Sequence, residues 1–77
     1  MAIVRHLEHY PLQADAPHKE VAATYSIVQA QGGLKCLQID TYGSSDRKLR
    51  GKKSQSIRLT PSAIRELRAL LARDFPE

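Results

Sequence analysis

The sequence predicts an α+β domain, an antiparallel sheet of about four strands followed by one C-terminal helix. Three observations carry that expectation. Residues 21–30 are rich in β-branched and aromatic side chains, and 34–42 and 54–59 alternate between apolar and polar positions, as half-buried strands do. Gln31-Gly32-Gly33 stands between the first two of these segments as a tight-turn signal. After Thr60 the period changes to that of an amphipathic helix.

The first element is the least determined. Ile3, Val4 and Leu7 in MAIVRHLEHY fit a short helix or an edge strand, and we read a strand. Two prolines, Pro11 and Pro17, make the next stretch a connector. Residues 1–20 as a whole carry no pattern that fixes their structure.

The segment VAATYSIVQA, 21–30, reads as a strand that turns back through Gly32 and Gly33. A three-residue loop would set Ile27 opposite Leu37 and Tyr25 opposite Ile39. A two-residue turn would set Val28 and Ser26 there and bury less, so the longer loop is preferred. In the next strand Lys35, Leu37, Ile39 and Thr41 share one face, while Cys36, Gln38, Asp40 and Tyr42 share the other. Gly43-Ser44-Ser45-Asp46 breaks that strand, and the basic loop RKLRGKK, 47–53, comes after it. Residues 54–59 resume the alternation, so Leu37, Ile39, Ile57 and Leu59 are expected to form the inner face of the sheet.

The helix is announced by a cap, Thr60, and by Pro61, whose missing N–H costs nothing at the first helical position. Ala63, Ile64, Leu67, Leu70 and Leu71 make a stripe about 120° wide that should lie on the inner face. Phe75-Pro76 ends the helix, because the residue before a proline is driven from the helical region. The expected organisation is one domain, with an N-terminal segment 1–20, a sheet over 21–59 and a helix over 60–74. A chain of 77 residues buries only roughly 60% of the surface that it exposes when unfolded, which favours a homodimer.

Charge points to a partner class. The net charge is +4 and the excess is local: six of the twelve Lys and Arg residues lie from Arg47 to Arg58, with no acid among them. Arg47, Lys48, Arg50, Lys52 and Lys53 repel one another unless an anion sits between them, and a phosphate backbone is the natural anion. The bland alternative is a solvated loop that binds nothing. Tyr42 ends its strand beside this loop, where a ring could stack on an unpaired base or simply cap the sheet edge. Gln38, Ser54, Gln55 and Ser56 offer hydrogen bonds to sugar, base or phosphate, although strand-surface polar residues usually do nothing specific.

Other chemistries find little support. His6 and His9 in HLEH lack a third ligand for a metal, so no metal or other cofactor is expected. Cys36 stands alone and reads as a small packed residue, not a nucleophile. Asp40, Ser44, Ser45 and Asp46 have no histidine near them and make no catalytic set, so the chain is not expected to be an enzyme. No leader pattern and no long apolar run stands in the sequence, and the expectation is a cytoplasmic protein without a membrane partner, nucleoid-associated if bacterial.

The stretch LKCLQIDTYGSSDRKLRGKKSQSIRLTPSAIRELRALL resembles the single-strand-binding domain of the eukaryotic transcriptional positive cofactor and its small bacterial relatives, a Whirly-like group. The resemblance rests on Ile39-Asp40-Thr41-Tyr42, on Gly51-Lys52-Lys53, on Ile57-Arg58-Leu59 and on the helix from Pro61, and it spans about three-fifths of the chain, from Tyr25 to Leu71. It implies a curved four-stranded antiparallel sheet backed by the helix, a homodimer, and a channel for single-stranded DNA or RNA. It carries a binding role to Tyr42, Lys52, Lys53 and Arg58. Charge adds Arg47, Lys48 and Arg50, and strand position adds Gln55. The expectation is therefore a non-enzymatic module that prefers single-stranded DNA, acting in transcription regulation or DNA metabolism. The alternative is a small interaction module that docks its basic loop on an acidic protein partner.

Overall fold

A computed structural model describes residues 1–43 and 53–77 of the chain. Among the described residues the elements are β1 (Ala2–Val4), β2 (Ala23–Gln29), β3 (Lys35–Tyr42), β4 (Lys53–Leu59) and α1 (Pro61–Asp74), with a 3-10 turn at Gln31–Gly33. They form the α+β arrangement expected, a four-stranded sheet in the order β1-β4-β3-β2 followed by one helix.

The β2–β3 hairpin has the longer loop. Tyr25 pairs with Ile39 and Ile27 with Leu37. Gly32 and Gly33 both adopt positive φ, 80° and 76°, which only glycine holds without strain. β3 and β4 are also antiparallel, with Leu37 opposite Leu59, Ile39 opposite Ile57 and Asp40 opposite Ser56. A bulge at Thr41/Tyr42 shifts the register by one residue, so Tyr42 pairs with Lys53.

The sheet is mixed where the sequence led us to expect only antiparallel pairing: β1 lies parallel to β4, with Ala2 opposite Ile57 and Val4 opposite Leu59. The cause lies in the segments beyond the two strands. Being parallel, β1 and β4 leave the same end of the sheet, and residues 5–7 continue beside the first turns of α1. Thr60 donates its N–H to the Val4 carbonyl at 3.1 Å, Ser62 Oγ donates to the Arg5 carbonyl at 2.8 Å, and the Leu7 N–H donates to Glu66 Oε1 at 2.7 Å. His6 Nδ1 lies 3.4 Å from Glu66 Oε2, and these contacts hold the Glu66 carboxyl below its ordinary pKa, the Leu7 N–H first. The N-terminal segment thus completes the sheet and straps the helix.

α1 begins as the cap predicts. Thr60 is in extended conformation, accepts from the Ala63 N–H at 3.3 Å and is followed by Pro61. At the other end Phe75 leaves the helix while its N–H still bonds the Leu71 carbonyl. No described helix is long and apolar enough to cross a membrane.

The inner face differs from expectation in how well it is covered. The helix packs on the end of the apolar face, where Leu59 and Ala63 are buried and Val4, Leu37, Ile64 and Leu67 are half-buried. Farther along that face Ile27 is 59% and Tyr25 75% exposed, and Leu71 of the helix stripe is also exposed. Among the described residues the buried apolar side chains are only Cys36, Leu59 and Ala63. One helix meeting the sheet by its first turns cannot shield the rest. The best-buried row of β3 is instead Cys36, Gln38 and Asp40, on the face that the sequence marks as polar.

Candidate nucleic-acid interface

The polar face is assembled from the period-two alternation of β3 and β4. Gln38, Asp40 and Tyr42 on β3 stand beside Arg58, Ser56 and, through the bulge, Lys53 on β4. Without the bulge, strict alternation would turn Lys53 to the apolar face.

Asp40 is the centre of this face and is 2% exposed. Its carboxylate accepts from the Ser56 hydroxyl and from Gln38 Nε2, which lies 3.0 and 3.2 Å from the two oxygens. Lys53 Nζ lies 3.4 Å from Oδ2. The Ser56 hydroxyl holds the carboxyl below its ordinary pKa, helped by Gln38 and Lys53 and opposed by desolvation, so the group is ionised at neutral pH. Gln38 passes the network on, because its Oε1 accepts from Arg58 Nε at 2.7 Å. Among the described residues no buried side-chain polar atom lacks a partner.

At the far end of β3 the half-buried Tyr42 bonds its hydroxyl to Thr24 Oγ1 at 2.9 Å, which holds the ring against the sheet. Four residue steps along the strand lead from Gln38 to Tyr42, a span of ~13 Å. At the Gln38 end, Ile3 of β1 joins Gln38, Ser56 and Arg58 around an open cleft of about 240 Å³. The face therefore offers a ring at one end, a lysine in the middle and a guanidinium beside a shallow apolar floor at the other. Cations at fixed spacing can hold phosphates, and a ring fixed by its hydroxyl can stack a base without losing further rotamer freedom.

Tyr42, Lys53 and Arg58, three of the residues expected to bind, share this face. Gln55 does not: it lies opposite Thr41, on the apolar face, where the alternation of β4 sets it with Ile57 and Leu59. Arg47, Lys48, Arg50 and Lys52 lie outside the described residues. Asp40, Ser56 and Gln38 are the residues whose roles the sequence understated. The signal available was an aspartate in mid-strand, where a lone carboxylate is depleted unless something pairs with it. Among the described residues no group of three His, Cys, Asp or Glu side chains could hold a metal ion.

Compared with known protein families, with characterised proteins and with solved structures, the chain matches none.

Proposed function

We propose that this chain is a non-enzymatic module that binds single-stranded nucleic acid, DNA or RNA, in preference to duplex, as a homodimer, in transcription regulation or DNA metabolism. The observation that carries the reading is the gathering of Tyr42, Lys53 and Arg58 on one polar sheet face, directly continuous in sequence with the basic run 47–52. Phosphates would be captured by the cations and bases would stack on Tyr42. The resemblance carried by Ile39–Tyr42, Gly51–Lys53 and Ile57–Leu59 supports the same reading. The homodimer is supported by the small core and by the uncovered Tyr25, Ile27 and Ile57 on the opposite face, which a second copy would bury.

The test is fluorescence anisotropy of a labelled single-stranded oligonucleotide titrated with the protein over a range of salt, with duplex DNA in parallel. Tighter binding of the single strand, with a log–log salt slope of about −2 to −4, corresponds to roughly three to six phosphate contacts. Absence of binding to either form at low salt refutes the reading. The basic run would then be assigned to an acidic protein surface, with the exposed apolar face as the adjoining contact.

A further inference from the structure

We infer that Asp40 is the positioning residue of the polar face, holding Lys53 directly and Arg58 through Gln38, so that affinity for a polyanion depends on a buried negative charge. The inference rests on the single-strand-binding role proposed above and assigns the residue that pre-arranges it.

The Gln38 amide has one donor end and one acceptor end. Its nitrogen lies 3.0 and 3.2 Å from the two Asp40 oxygens, so the amide cannot turn over without setting oxygen against carboxylate. That orientation presents Oε1 to Arg58 Nε, 2.7 Å away. A reversed amide would face the guanidinium with its own N–H groups and lose the bond. The carboxylate thereby selects one orientation of Gln38, and Gln38 selects one orientation of the Arg58 guanidinium. Lys53 is drawn to the same carboxylate at 3.4 Å. Arginine and lysine are among the side chains with most rotamer freedom to lose on binding, so restraining them beforehand raises affinity. Ser56 supplies the third partner that keeps the carboxylate ionised although it is buried.

A carboxylate on a phosphate-binding face would, by charge alone, oppose binding. The two accounts therefore predict opposite signs for Asp40→Asn. Charge alone predicts tighter binding of a single-stranded DNA oligonucleotide. Positioning predicts binding weaker by about five- to a hundredfold, the restraint of two long side chains being lost, with the salt slope unchanged because the same cations make contact.

Gln38→Met interrupts only the relay and leaves Asp40 with Ser56 and Lys53, so it serves if Asp40→Asn does not fold. It should weaken binding in the wild-type background and have no further effect once Arg58 is replaced by alanine. Full additivity of Gln38→Met with Arg58→Ala, or unchanged or tighter binding by a folded Asp40→Asn variant, overturns the inference. A ligand-free arm separates this result from failure of the binding reading itself. In the nitrogen-15 spectrum of the free protein the Arg58 Nε–H should be resolved and protected from exchange, and Gln38→Met should abolish that protection. Persistence of protection overturns the positioning role whatever the oligonucleotide experiment gives, whereas a protected Nε–H in a protein that binds no strand refutes the function alone.

Discussion

Replacing Ile27 by serine tests the dimer without adding charge. Ile27 lies on edge strand β2, on the apolar face, and 59% of it is exposed in the single chain. Full burial of an isoleucine is worth roughly 1.5–3 kcal/mol, so the part left for a partner to cover is worth about 1–2 kcal/mol. In a two-fold dimer the same patch is used by both copies, and the substitution enters twice. The dimer should therefore lose about 2–4 kcal/mol, which raises its dissociation constant roughly 30- to 700-fold. The monomer should lose much less, since the remaining fraction of the side chain is all that it buries. Sedimentation equilibrium of wild type and Ile27→Ser gives the two constants directly, and urea unfolding shows that the variant still folds. Equal dissociation constants, or a wild-type protein that remains monomeric at the highest concentration attainable, would refute the assignment of this face to a second copy.

Two further outcomes are expected. Leu59→Ala removes a buried side chain at the meeting point of β1, β3 and α1, and should cost about 2–5 kcal/mol, read from the urea midpoint at unchanged m. Because the Asp40 carboxyl is held below its ordinary pKa, its contribution to stability is fully present above that value and is lost as pH falls through the lowered one. Acid unfolding should thus show a component on the acid side of the ordinary carboxylate range, and Asp40→Asn should remove it.

Local pattern governs the part of the fold that was legible in the sequence. The register of β2 on β3 came from which loop sets Tyr25 beside Ile39 and Ile27 beside Leu37, in place of Ser26 and Val28. The cap at Thr60 and the stop at Phe75 are likewise decided by neighbours in the chain. The parallel seat of β1 was not legible, because three residues carry no direction and their partner on β4 lies at the other end of the sequence. The side of Lys53 was lost for a different reason, whereas Gln55 keeps the side that alternation shares with Ile57 and Leu59. A single bulged residue inverts the alternation, and nothing in KSQS marks where the bulge falls. Alternation alone puts Tyr42 and Arg58 on one face, only Lys53 needs the bulge to join them, and no local pattern pairs the Asp40 carboxylate with any of the three.

The strap formed by β1 and residues 5–7 also has a kinetic meaning. Val4 meets Leu59, and Leu7 meets Glu66, across more than two-thirds of the chain, whereas the β2–β3 hairpin closes over three residues. Closing so long a loop carries an entropic cost that the hairpin does not incur, so the first residues in the chain should be the last to dock. Until they do, β4 presents its outer edge to solvent, and any extended chain that reaches it first can take the place of β1. The order in which the ends of this protein meet therefore sets how long a folding molecule remains open to pairing with a neighbour.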